Sequence, residues 1–130
     1  MMQSNFANAY TDTHNQTAVV DASPHRQIAL LYAKAVDRVH QAKGAMEVSN
    51  YALKAKCIGR TVDILSALQG WLDMEQGGAI SDNLDALYDY MIRQLHAANI
   101  ENDPAKLDEV ASLLGEIRSA WDAIGPQVDG

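Results

Sequence analysis

The stretch Leu72-Asp-Met-Glu-Gln-Gly-Gly-Ala-Ile-Ser-Asp-Asn-Leu-Asp-Ala-Leu-Tyr-Asp-Tyr-Met91 decides the fold. It holds the end of one apolar-periodic segment, the Gly77-Gly78 break, and the start of another such segment. Glycine adopts the left-handed conformation without a Cβ clash, so a diglycine between two helical patterns reads as a helix stop. A connection this short also makes the flanking helices antiparallel neighbours. The rest of the chain reads outward from this hairpin.

Ahead of it, a helix is expected from somewhere between Met46 and Tyr51 to about Glu75. Its core seam is Tyr51, Ala55, Ile58, Val62, Leu65 and Leu72, alternating four and three. A second apolar set, Leu53, Cys57, Ile64, Leu68 and Trp71, centres roughly 130° round the same helix. Such a width marks either a partner surface or a helix covered on both sides by its own chain. Gly59 and Gly70 inside this helix fit places where another backbone approaches.

After the hairpin, a helix from about Ala79 to Asn99 carries the core stripe Ile80, Leu84, Leu87, Met91, Leu95 and Ala98. Tyr88 and Ile92 form a smaller second edge, and Asn102-Asp103-Pro104 supplies the next turn. The last helix places Leu107, Val110, Leu114, Ile117, Trp121 and Ile124 on one seam and is stopped by Gly125-Pro126. Near the N-terminus, Ser23-Pro24 opens a helix of about 24–43, with Ile28, Leu31, Ala35, Val39 and Ala42 inward and Gly44 as terminator. The expectation is an all-α, antiparallel four-helix bundle over 23–124, with a flexible N-terminal arm (1–22) and a short tail (125–130). Phe6 and Tyr10, four apart in the arm, would share one face of a short helix and could cap an apolar groove.

The chain has 130 residues and a formal charge of −7, from 17 carboxylates against 10 Lys and Arg. That length buries a core without staples. The acidic balance argues against nucleic acid and anionic membranes as partners. Cys57 is the single cysteine, so no internal disulfide forms and a reducing compartment is expected. The N-terminus lacks a basic start and an apolar run, and Ile28–Ala33 is too short to span a bilayer. A cytoplasmic protein with no membrane insertion is expected.

The search for chemistry finds little. A di-iron site needs Glu-x-x-His pairs, and no glutamate has a histidine three residues on. His40-Gln-Ala-Lys43-Gly44 resembles the His-x-x-Lys-Gly run of histidine phosphotransfer domains, but a helix ending at Gly44 puts His40 in a last turn, where an imidazole has an ordinary dipole-complementing use. Cys57 lies on an apolar helix face with no histidine nearby, and Asp82, Asp85 and Asp89 read as a solvated edge without a calcium loop. Neither a catalytic residue, a metal site nor a cofactor is expected.

The hairpin pattern Leu72-Asp-Met-Glu-x-Gly-Gly-x-Ile-x-x-Asn-Leu-x-x-Leu-Tyr-Asp-Tyr-Met resembles the flagellin export chaperone family. So do Leu95-x-x-Ala-Asn99, Ala120-Trp121, Ser23-Pro24, Ile28-Ala-Leu-Leu-Tyr32 and Tyr10, together covering about 10–124. Where that family usually has Asp-Gly after the first helix's tyrosine, this chain has Ala33-Lys34. The resemblance implies a cytoplasmic, non-enzymatic bundle that binds the disordered C-terminal segment of flagellin. It would prevent premature polymerisation and present that segment to the type III flagellar export gate, with a co-chaperone or regulator as further partners. It also implies an N-terminal segment that lies over the client groove, here Phe6 and Tyr10. The expected partner-binding surface is Leu53, Cys57, Ile64, Leu68 and Trp71 with Tyr88 and Ile92, a helix-in-groove arrangement. Phosphotransfer at His40 and a self-associating module are the competing readings, and a monomer or weak homodimer is expected.

Overall fold

The computed structural model describes residues 23–129, with side chains over 23–124. Phe6, Tyr10 and the expected arm lie outside the described residues. Four helices follow in order: α1 (Pro24–Glu47), α2 (Tyr51–Gly70), α3 (Gly78–Glu101) and α4 (Pro104–Asp129). Each packs on its neighbours in sequence and α1 closes the ring against α4, giving an all-α antiparallel four-helix bundle.

Each helix begins for a visible reason. Ser23 accepts the Arg26 N–H at 3.1 Å and Pro24 fills the first helical position, where an N–H would have no partner. Asn50 caps α2 by accepting the Leu53 N–H at 3.2 Å. Asn102 ends α3 in the left-handed conformation at φ 53°. The core comprises Tyr32, Ala35, Val39 and Ala42 of α1, Ile58, Leu65 and Leu68 of α2, Met91, Leu95 and Ala98 of α3, and Leu107, Val110 and Leu114 of α4. Alanines dominate α1's buried stripe, so its backbone sits close to α2 and α4. The larger Tyr88, Met91 and Leu95 hold α3 further out.

Several boundaries differ from the sequence reading. Gly44 does not end α1, because Ala45 and Met46 continue the buried stripe and their packing offsets one glycine's cost of about 1 kcal/mol. α2 ends at Gly70 rather than Glu75: Trp71 and Leu72 donate to carbonyls three residues back, and Asp73 starts a separate turn. Gly77-Gly78 accordingly opens α3 and does not close α2. Gly125-Pro126 does not stop α4, whose backbone continues to Asp129. Gly59 and Gly70 meet no approaching backbone, since a Cβ at either position would enter open space.

Two faces are rotated from expectation. On α3, Ile80 is 72 % exposed and Ser81 is buried in its place, its hydroxyl donating to the Asp73 carbonyl at 2.9 Å. A Cβ on Gly77 would fall 1.7 Å from the Ser81 Oγ, so this turn requires glycine there, and Gly78 at φ +54° requires it next. On α2 the inward line runs between the two apolar sets, through Lys54, Cys57, Ile58, Thr61, Leu65 and Leu68. Tyr51 and Ala55 of the expected seam are exposed. The line passes through two polar residues because both find partners. Thr61 donates to the Cys57 carbonyl at 2.9 Å, and the buried Lys54 ammonium donates to the Asn99 carbonyl at 2.9 Å and to the Asn102 side chain.

Candidate functional site

Helix rotation decides which expected site residues remain available. Cys57, Leu68 and Tyr88 are buried at 3 %, 4 % and 1 % exposure, so they lie in the core of the bundle rather than on its surface. Leu53 and Trp71 are exposed at 43 % and 62 %, while Ile64 and Ile92 are half-buried against the core. The expected surface is therefore smaller than its seven residues and is divided by α2. Leu53, Ile64 and Trp71 lie on the flank facing α1, the side on which the Cys57 Sγ lies 3.7 Å from the Gln41 Oε1. Ile92 lies on the flank of α3 facing α2, level with Val62.

Tyr88 leaves the surface for a reason its residue type conceals. Its hydroxyl meets that of Tyr32 at 2.6 Å, across the interior from α3 to α1. Burial, and then that mutual bond, pushes the Tyr88 phenol well above its ordinary value. Tyr32 is raised as well, again chiefly by burial, so both phenols stay protonated.

The four outer seams of the bundle are closed unequally. Between α2 and α3 the Gln69 amide donates to Asp85 Oδ1 at 2.9 Å and Asp89 Oδ1 at 2.8 Å. Between α3 and α4, the Tyr90 hydroxyl and the Gln94 amide donate to the Glu109 carboxylate. Those bonds, Gln94's first, hold Glu109 below its usual range. Between α1 and α4, Lys43 pairs with Asp108 at 2.9 Å. At the end of that seam His25 and Trp121 stack with ring centroids 4.7 Å apart, the His25 Nε2–H donating to the Trp121 carbonyl and the indole N–H to the His25 carbonyl. Between α1 and α2 the side-chain hydrogen bond among the described residues is the long Cys57–Gln41 contact.

Other candidates fall into place around this. With α1 running on to Glu47, His40 stands mid-helix and exposed, not in a last turn. Lys43, the cation its phosphotransfer reading needs, is engaged by Asp108. Among the described residues no group of three His, Cys, Asp or Glu side chains is placed to hold a metal ion. No helix among them is long and apolar enough to cross a membrane. Further exposed apolar residues gather at the bundle's ends: Val48, Tyr51 and Ile100 at one, Met74 and Ile80 at the other. Sequence reasoning missed the exposure of Ile80, Met74 and Ile100, and only the swap of Ser81 for Ile80 had a sequence signal, the glycine four residues before Ser81.

A helical bundle with apolar side chains left exposed along one seam and at both ends has the surface of a binding module. The chain belongs to the FliS family: the family model described as "Flagellar protein FliS" matches residues 6–128. It is 42 % identical over 119 residues to the flagellar secretion chaperone FliS of Vibrio cholerae, covering 92 % of this chain and 88 % of that one. It is 44 % identical over 115 residues to the flagellar secretion chaperone FliSB of Pseudomonas aeruginosa, covering 88 % and 91 %. Against the flagellar secretion chaperone FliS of Salmonella typhimurium the identity is 38 % over 120 residues, covering 92 % and 89 %.

Proposed function

We propose that this chain is a flagellar secretion chaperone that binds the C-terminal segment of flagellin in the cytoplasm, keeps it from polymerising early and delivers it to the flagellar type III export apparatus. The observation that carries this reading is a family match running over almost the whole chain, 6–128. Relatives that share 38–44 % of their residues with it are named as flagellar secretion chaperones. The physical chemistry agrees. A flagellin tail that becomes helical on assembly has apolar faces that associate if left free, and a bundle with unpartnered apolar side chains can cover them helix-in-groove. Ordering such a tail costs several kcal/mol, so the contact must be extensive, beyond about 2,000 Å² in total.

Leu53, Ile64 and Trp71 are the residues we assign to the client surface; Ile92, on the other flank of α2, falls outside it, and Cys57, Leu68 and Tyr88 act through the core. Phe6 and Tyr10 would shield this surface in the free protein, and the export gate and a co-chaperone or regulator would meet the loaded complex. No catalysis and no cofactor enter the mechanism: binding free energy alone does the work.

Co-expression with flagellin should yield a soluble 1:1 complex that is lost when the flagellin C-terminal segment is deleted. A complex that survives the deletion overturns the reading. Light scattering of the free chain separates it from the self-associating module, which would be dimeric without client.

A further inference from the structure

We infer that the α1–α2 groove recognises charge as well as apolar surface: it takes an amphipathic helical segment whose carboxylates meet Arg38 and Arg60. This deepens, and rests on, the client-binding reading above. The Cys57–Gln41 contact fixes the register of the two antiparallel helices. Three residues back along α1 and three forward along α2, Arg38 and Arg60 come level; a turn further, Lys34 comes level with Ile64. Cationic residues thus alternate with the apolar Leu53, Ile64 and Trp71 along one groove of a chain whose formal charge is −7.

These cations are uncommitted. Lys43 and Arg118 pair with carboxylates, whereas Lys34, Arg38 and Arg60 have no carboxylate partner among the described residues. Arg38 donates from Nη1 to Gln41 at 3.1 Å, but its Nε is shielded from solvent and has no acceptor. A buried donor left unmade is costly, so turning the half-buried Arg38 guanidinium outward to meet an arriving carboxylate with charge-assisted bonds gains rather than loses. The opposite flank of α2 is different in kind: it presents Asp85 and Asp89, already bridged by Gln69. An acidic amphipathic segment is attracted to the first groove and repelled from the second.

The test measures binding of the flagellin C-terminal segment to the full chain by calorimetry at two salt concentrations. The reversal R38E/R60E should weaken binding on the order of tenfold or more and flatten its salt dependence, while D82K on the other flank changes it less than twofold. Replacing the contacting client carboxylates by lysine should restore binding to R38E/R60E. Circular dichroism and melting check folding; if the reversal unfolds the bundle, R38Q/R60Q must still reduce the salt dependence. Wild-type binding with no response to R38E/R60E or to salt overturns this inference and leaves the client reading standing. Failure of the wild-type chain to bind the segment overturns the client reading, and this one with it.

Discussion

The two ends of the bundle are built on opposite plans. At one end the turns at 48–50 and 102–103 are short, and the buried Lys54 ties them together by donating to Asn99 and Asn102 at the C-terminus of α3. Its charge complements the helix dipole there, and the Tyr51 ring lies 4.9 Å from the ammonium. At the other end the connection 71–77 is longer. It is held mainly by local bonds, Asp73 accepting from Glu75, Gln76 and Gly77 and from Ser81, while Trp71, Met74 and Ile80 stand exposed. A long-range buried bond braces the loops at one end, whereas local turn chemistry shapes the 71–77 connection at the other, where the tie across helices is the His25–Trp121 clasp between α1 and α4. The 71–77 connection itself makes no such reach, and it is there that Trp71, Met74 and Ile80 stay exposed.

The largest effect should come from breaking the closed end. Lys54→Ala leaves the Asn99 carbonyl and the Asn102 side chain without their donor and opens a void, so chemical denaturation should show a loss of about 3 kcal/mol. At the hairpin end Gly77→Ala forces a Cβ into Ser81 and the Asp73 carbonyl, which should cost about 2 kcal/mol by the same measurement.

Tyr88→Phe removes the bond between the two plans' meeting elements, α1 and α3, at about 1 kcal/mol. It also has a pH signature. The folded phenols titrate above their unfolded value of about 10, so at high pH the folded chain retains protons that the unfolded chain has lost. Stability is therefore full below about pH 10 and falls as pH rises beyond it, and Tyr88→Phe should shallow that fall in a pH-stability profile. Smaller still, Gly59→Ala fills open space on a helix and should raise the melting temperature, a gain of up to about 1 kcal/mol. Trp71→Ser, exposed at the hairpin end, should leave melting unchanged and weaken client capture in a pull-down.

What was legible in the sequence follows the same division. The number, order and direction of the helices could be read from apolar spacing and from Ser23-Pro24, Asn102 and the diglycine, because those signals are local. Helix rotation could not. Lys54 and Thr61 look like surface residues, yet each lies at the centre of α2's inward line because a partner 45 residues away or one turn back satisfies it. Tyr88 reads as an edge residue because its partner, Tyr32, is 56 positions away. Because α2's true inward line splits its two apolar sets and Tyr88 turns inward on α3, three of the seven expected client residues went into the core, and Leu53, Ile64, Trp71 and Ile92 remained within reach. The helix ends at Gly44 and Gly125-Pro126 misled in the other direction, because each reads as a stop and each is passed.

The two tryptophans, finally, give the molecule an optical record of its own state. Trp121 is clasped against an imidazole between the first turn of α1 and the last turns of α4, and Trp71 stands in solvent on the groove rim. One indole is half-shielded against a stacked ring; the other is open to water. Red-edge emission therefore follows the groove, and the remaining fluorescence follows the clasp. Occupancy of the groove and integrity of the contact between α1 and α4 can be watched separately in one unlabelled sample.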